Sequence, residues 1–288
     1  MLSQICNFIT WDFDPDFISS PVTIRWYGIM FVIGFIAGLS LITKMFKHEG
    51  TKSNWPDSLF IVVVICTIVG ARLGHVFFYA WDYYSQHPME ILKTWEGGLA
   101  SHGGAIGILI GILFYSYYVT HRNPLWTVDR LVVPVAFVAG LIRLGNLFNS
   151  EIFGHVTDLP WGFYFIRSRE WQSICMEHGQ MVACHPTQIY EALTYFALFG
   201  LLMFMYWKRN AGERQGLLSG VFFLVTFGAR FLIEFIKNPQ EAFEVGMVLN
   251  MGQWLSVPFI IAGIWLIVRA MRRQREKIEY PNCFSDKK

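Results

Sequence analysis

Gly140-Leu141-Ile142-Arg143-Leu144-Gly145-Asn146-Leu147-Phe148-Asn149-Ser150-Glu151-Ile152-Phe153-Gly154 closes an apolar run that begins near Val128. An arginine, two asparagines and a glutamate stand where a membrane helix would carry only apolar residues. On a helix Arg143 and Asn146 share a face, and Glu151 falls two turns further along it. A charge inside a bilayer costs roughly 2.5 kcal/mol or more, so such a residue points to a functional site. The bland alternative is that Arg143 snorkels to the headgroups while the amides join helices. The rest of the chain decides between the two.

Hydrophobic residues make up 54% of the 288 and charged residues 15%. Soluble domains average about 25% charged, so this composition points to a polytopic membrane protein. Aromatic residues at 17% suit interfacial belts. No internal repeat stands out, which leaves an inverted-repeat transporter without support. Cys6, Cys66, Cys175, Cys184 and Cys283 show no metal-site spacing. Cys175 and Cys184 share one polar loop and are read equally as a disulfide or as two thiols. No metal, nucleotide or nucleic-acid signal is present, and no cofactor is expected.

Seven apolar spans follow in order, at about 22–43, 57–81, 99–119, 127–148, 186–207, 216–236 and 251–271. Each is close to the ~20 residues needed to cross the hydrocarbon as a helix. The expected fold is therefore an all-α membrane protein with seven transmembrane helices, one integral domain over 1–288. A head insertion covers 149–185 and a basic tail 272–288. Residues 1–20 hold Asp12, Asp14 and Asp16 and no basic residue, unlike a secretory signal peptide. Lys44, Lys47, Lys52, Arg122, Lys208, Arg209, Arg214 and the basic tail lie on one side. Arg25, Lys93, Arg167, Arg169 and Lys237 lie on the other. The charge bias makes the tail cytoplasmic and puts the N-terminus and the head outside.

That orientation gives the polar residues a depth. Tyr27, Arg72, Tyr79, His102, Arg143, Asn146, His185, Gln188, Tyr190, Glu191, Arg230 and Glu234 all fall toward the outer ends of their spans. Scattered snorkelling would put arginines at both faces, so a shared outer-leaflet polar cavity is the better reading. Arg143 and Arg230 offer planar, permanently charged forks that suit a phosphate. Glu151 and Glu234 are placed to orient them. Arg230 and Glu234, at i and i+4, would alternatively pair and neutralise each other. His102 opens span three, where the helix dipole favours a phosphate nearby and a neutral imidazole. Gly103, Gly107 and Gly111 behind it would let another helix approach closely.

These pieces together resemble the bacterial prolipoprotein diacylglyceryl transferases. The matching segments are Arg25-Trp26-Tyr27-Gly28, Gly70-Ala71-Arg72-Leu73-Gly74, Gly97-Gly98-Leu99-Ala100-Ser101-His102-Gly103-Gly104, the opening stretch, His185-Pro186-Thr187-Gln188-Ile189-Tyr190-Glu191 and Arg230-Phe231-Leu232-Ile233-Glu234-Phe235. Gly-Ala-Arg stands where the family pattern leads one to expect Gly-Gly-Arg. The resemblance implies transfer of a diacylglyceryl group from phosphatidylglycerol to the lipobox cysteine of a prolipoprotein, in the bacterial inner membrane. By that resemblance His102, Arg143, Arg230, Glu151 and Glu234 carry the chemistry. Tyr27, Arg72, Asn146, Asn149, Gly154, Gln188, Tyr190 and Glu191 hold substrate, and Gly154 also turns the chain into the head. The partners are phosphatidylglycerol, lipobox signal peptides and membrane lipids. Whether His102 takes the thiol proton or only holds the headgroup stays open, as does a role for either glutamate.

The main rival is a transporter or flippase of an anionic lipid or solute. It would continue polar residues to the inner leaflet, yet 33–41 and 107–114 have no ionisable residue. An intramembrane protease would need a nucleophile–base pair, and adjacent Ser101 and His102 suit that poorly.

Overall fold

In the computed structural model, residues 8–20, 23–94, 97–238, 247–276 and 278 are described. Among these described residues, seven helices are long and apolar enough to cross a membrane. They are α1 (Trp26–His48), α2 (Trp55–Tyr79), α4 (Ser101–Phe114, continued by a π-helical segment Tyr115–Thr120), α5 (Pro124–Phe148), α7 (Thr187–Arg209), α8 (Leu217–Ile233) and α9 (Met251–Arg272). Short α3 (Trp81–Gln86) follows α2, and α6 (Arg169–His178) lies in the head. The helix ends agree with their local chemistry. Pro56 and Pro124 stand in first turns, where a missing N–H costs nothing. Asn250 and Gln253 form a reciprocal capping box on α9.

One compact unit comprises residues 1–38 and 132–275. It holds the head, whose core is Leu147, Phe153, Phe163, Phe165, Trp171 and Cys184. The head is more than an insertion. Strand β1 (Ile9–Trp11) pairs in parallel with β4 (Phe163–Phe165), so the N-terminal segment completes it. The Trp11 indole donates to the Leu147 carbonyl at 2.9 Å. Strand β2 (Asp16–Ile18) pairs antiparallel with β3 (Ile24–Arg25), which feeds α1. Cys175 and Cys184 are free thiols in this core. Burial, more than the neighbouring Cys175, pushes the Cys184 thiol up to about 12.

The second unit comprises residues 39–131 and 276–288. Here α2 and α4 meet backbone to backbone. A Cβ on Gly74 would sit 2.7 Å from the Gly103 Cα, and one on Gly103 would run into the Gly70 carbonyl. The glycines at four-residue spacing thus serve helix packing, and their partner is α2.

Candidate active site

The predicted residues fall into two groups, one in each unit. The first is built at the C-terminal end of α5. Arg143 Nε approaches Glu191 Oε2 to 2.8 Å, and Arg143 Nη1 donates to Asn146 Oδ1 at 3.3 Å. The Glu191 contact lies off the N–H direction, so it is an ion pair more than a directed hydrogen bond. Asn146 Nδ2 donates to Glu151 Oε1 at 2.7 Å, and Asn149 Nδ2 to the same oxygen at 3.2 Å. Glu151 therefore reaches Arg143 through an amide, while Glu191, expected as a substrate contact, is the carboxylate that pairs with it.

The backbone that carries Glu151 is strained. Ser150 and Ile152 have φ of 54° and 61°, a region uncommon for any residue but glycine and strongly disfavoured for β-branched isoleucine. Such residues cost on the order of 1–3 kcal/mol each and persist where the surroundings over-determine them. Gln188 Nε2 donates to the Glu151 carbonyl at 2.6 Å, and Thr187 Oγ1 to the Ile152 carbonyl at 2.8 Å. The first turn of α7 thus locks the exit of α5. Gly154 follows, with its N–H on the His185 carbonyl at 2.9 Å and its Cα pressed against the Ile236 carbonyl. Any side chain at 154 would meet that carbonyl. The Tyr27 ring lies on Gly145, where a Cβ would come within 2.7 Å of its Cδ2.

Lys237 is buried in the same cluster, 3.5 Å from Glu191 Oε1 and 3.7 Å from Glu234 Oε2. The Arg230–Glu234 pair, the alternative the i, i+4 spacing offered, does not form among the described residues. Glu234 rests instead on Gly252 in the first turn of α9, where the helix dipole favours a carboxylate. Arg230 keeps a buried Nε with no hydrogen-bond partner among the described residues. Tyr195, one turn after Glu191 on α7, interacts with Arg143, Glu191 and Arg230. Neither Lys237 nor Tyr195 was marked by sequence. Lys237 reads as a loop cation, and Tyr195 as one aromatic among many.

Tyr190 lies on another face of α7, accepting from Trp161 Nε1 at 2.9 Å and meeting His185 Nδ1 at 3.2 Å. Burial, and secondarily the charge of His155, lowers the pKa of His185.

The second group is that of Arg72 and His102. Arg72 is buried, and its donors reach the carbonyls of Glu90, Ile91, Gly97 and Gly98 at 2.6, 2.8, 2.7 and 3.3 Å. Expected among the headgroup contacts, it instead holds the loop that leads into α4. The loop can wrap it because Gly97 and Gly98 take φ of 91° and 68°. The exposed His102 ring lies 5.3 Å from Phe78 and 5.6 Å from Tyr79 between centroids, an aromatic setting with no carboxylate bonded to it among the described residues.

Among the described residues, seven helices long and apolar enough to cross a membrane, with an arginine whose buried Nε has no hydrogen-bond partner beside a cluster of ion pairs, define an integral membrane protein. Residues 15–269 match the model of the prolipoprotein diacylglyceryl transferase family, and the chain belongs to that family. It is 53% identical to the phosphatidylglycerol–prolipoprotein diacylglyceryl transferase of Porphyromonas gingivalis, with 92% of this chain and 95% of that one aligned. It is 46% identical to the enzyme of that name from Chloroherpeton thalassium, over 94% and 98% of the two chains. The enzyme of that name from Tolumonas auensis is 42% identical over 92% and 98%.

Proposed function

We propose that the chain transfers the diacylglyceryl group of phosphatidylglycerol to the lipobox cysteine of prolipoproteins, the first step of lipoprotein maturation, in the bacterial inner membrane with its site toward the outer leaflet. The cysteine sulfur attacks the glyceryl carbon that bears the phosphodiester oxygen. A C–S bond forms, the C–O bond breaks, and its electron pair leaves on glycerol phosphate. The thiol proton passes to a base. The leaving phosphate gains a negative charge, and donors already aimed at that charge lower the barrier. The observation that carries this reading is the unpartnered Arg230 Nε, in a cluster where Arg143 and Lys237 already have carboxylates. Arg230 is the primary phosphate clamp. Arg143 is the second, held by Glu191 and Asn146. Glu151, Asn149, Gln188 and Gly154 position that arginine, and Glu234 fixes Lys237. Tyr27 and Tyr190 contact the headgroup or the peptide. A free thiol with pKa near roughly 8.5 needs a base, and His102, Glu151 and Glu234 are the candidates for it.

Purified full-length protein, phosphatidylglycerol and a lipobox peptide test this. Glycerol phosphate release with a matching mass gain on the peptide cysteine supports it. No transfer under conditions that sustain a related enzyme refutes it. His102→Gln tests the base. Its loss of rate should be relieved as pH approaches the thiol pKa, and a loss unchanged with pH makes His102 structural.

A further inference from the structure

The loop between the π-helical end of α4 and the start of α5 carries a second cation that the transfer reaction leaves unused. The Arg122 guanidinium lies 4.5 Å from the Trp126 ring centroid and 5.5 Å from that of Trp55. Both indoles are buried, so the guanidinium rests on a fixed aromatic shelf. No carboxylate is within ion-pair distance of it among the described residues. Glu49, which accepts from Trp126 Nε1 at 3.0 Å, is already neutralised by Arg130. Next to Arg122 opens a cavity of about 480 Å³, lined by Leu113, Ser116, Tyr117, His121, Arg122 and Pro124. Its far wall, Leu113 and Tyr117, belongs to the membrane-crossing helix and is 57% and 70% exposed.

We propose that this cavity is a binding site for the headgroup of an anionic phospholipid, distinct from the lipid that is consumed. Three features fit this occupant. A guanidinium held over aromatic rings is weakly hydrated and offers a phosphate a planar set of N–H donors. The cavity joins that charge directly to an apolar wall, so an acyl chain attached to the phosphate has a seat and a soluble ion does not. The loop also emerges on the side where Lys44 and Lys47 lie in the last two turns of α1 and Lys52 follows it, and clustered cations at a membrane surface attract anionic lipid. The π-helical segment is what shapes the cavity. Its Tyr115 hydroxyl is anchored on the Trp55 carbonyl at 2.9 Å, and His121 ends it in a left-handed turn at φ 53°.

The test is lipid retention by the detergent-purified full chain, read by native mass spectrometry. Phosphatidylglycerol and phosphatidylcholine are compared on wild type and Arg122→Gln. Wild type should retain one more anionic lipid than the variant, whose affinity at this site falls about tenfold for the loss of a charged hydrogen bond. Arg122 is exposed, so the variant should fold and keep its transfer rate at saturating substrate. A phosphatidylglycerol carrying a headgroup-proximal photocrosslinker should label the 113–124 peptide in wild type, a readout that needs no variant. Equal anionic-lipid retention by wild type and Arg122→Gln overturns the proposal. So does equal retention of phosphatidylcholine, or protection from crosslinking by glycerol phosphate alone, which would make this a soluble phosphate site.

Discussion

Arg130 and Arg143 ride on the same helix, and both are largely removed from water, yet they are held in opposite ways. Arg130 has no exposed surface. Its Nε and Nη2 both meet Glu49 Oε1 at 2.9 Å, its Nη1 donates to the Trp126 carbonyl at 3.1 Å, and its Cζ lies 4.7 Å from the centroid of that indole. Arg143 keeps 19% of its side chain exposed. It shares its carboxylate with Lys237 and reaches Asn146 only at 3.3 Å. A saturated arginine holds a fold together. An arginine with spare donors and a divided counter-ion can exchange partners when an anion arrives. Depth alone does not tell them apart; the count of committed donors does.

Breaking the saturated site should give the largest effect. Glu49→Gln leaves Arg130 buried without its counter-charge and should lower stability by about 3–5 kcal/mol, read by thermal unfolding in detergent. Glu49→Met with Arg130→Met should recover most of it. A small loss in the single variant would mean that Arg130 is not saturated. Arg230→Lys should cut kcat about 100- to 1,000-fold with a milder change in KM for phosphatidylglycerol, because a lysine gives a point charge where a fork is needed. Wild-type kcat in that variant removes the clamp role. Lys237→Met leaves Glu191 to Arg143 alone, and the tighter grip should lower kcat/KM about tenfold, a change of ~1.4 kcal/mol. Lys237→Arg should restore it. If Lys237→Met instead raises the rate, the divided counter-ion argument is wrong.

The smallest effect belongs to an uncharged buried group. The Cys184 thiol is held up at about 12 by burial, so it stays protonated in the fold while the unfolded chain ionises near its ordinary 9.0. Its contribution is complete below pH 9 and is lost as pH rises toward 12. The Tm should therefore decline above pH 9, and Cys184→Ala should flatten the decline. Parallel declines in both proteins would assign the loss to other groups.

The seven helices were legible in the sequence because each is a long apolar run bounded by Pro, Asn or a cluster of charge, and the observed ends differ from the expected ones by a few residues. Arg143 and Asn146 were legible as neighbours on one helix face, but α5 ends at Phe148, so Glu151 reaches Asn146 from a strained turn after the helix and not from two turns further along that face. What escaped was long-range pairing. Glu191 is 48 positions from Arg143 and Lys237 is 46 from Glu191, and no local period links them. Glu234 misled for the opposite reason. The i, i+4 rule offered Arg230 as its partner, but the chain leaves the α-helix at Ile233 and carries Glu234 to α9 instead. Arg72 shows the same limit. Its carbonyl partners are backbone atoms, which side-chain patterns do not mark.

The parallel pairing of β1 with β4 has a consequence in time. Ile9–Trp11 leaves the ribosome before α1, but its partner Phe163–Phe165 follows roughly 150 residues later, about 8–30 s at ordinary elongation rates. Throughout that interval the early strand has unsatisfied edges and must stay unattached while four helices enter the bilayer. The head therefore closes only once α5 and its arginine are in place. The order of synthesis makes this closing strand a clasp that is made first and fastened late.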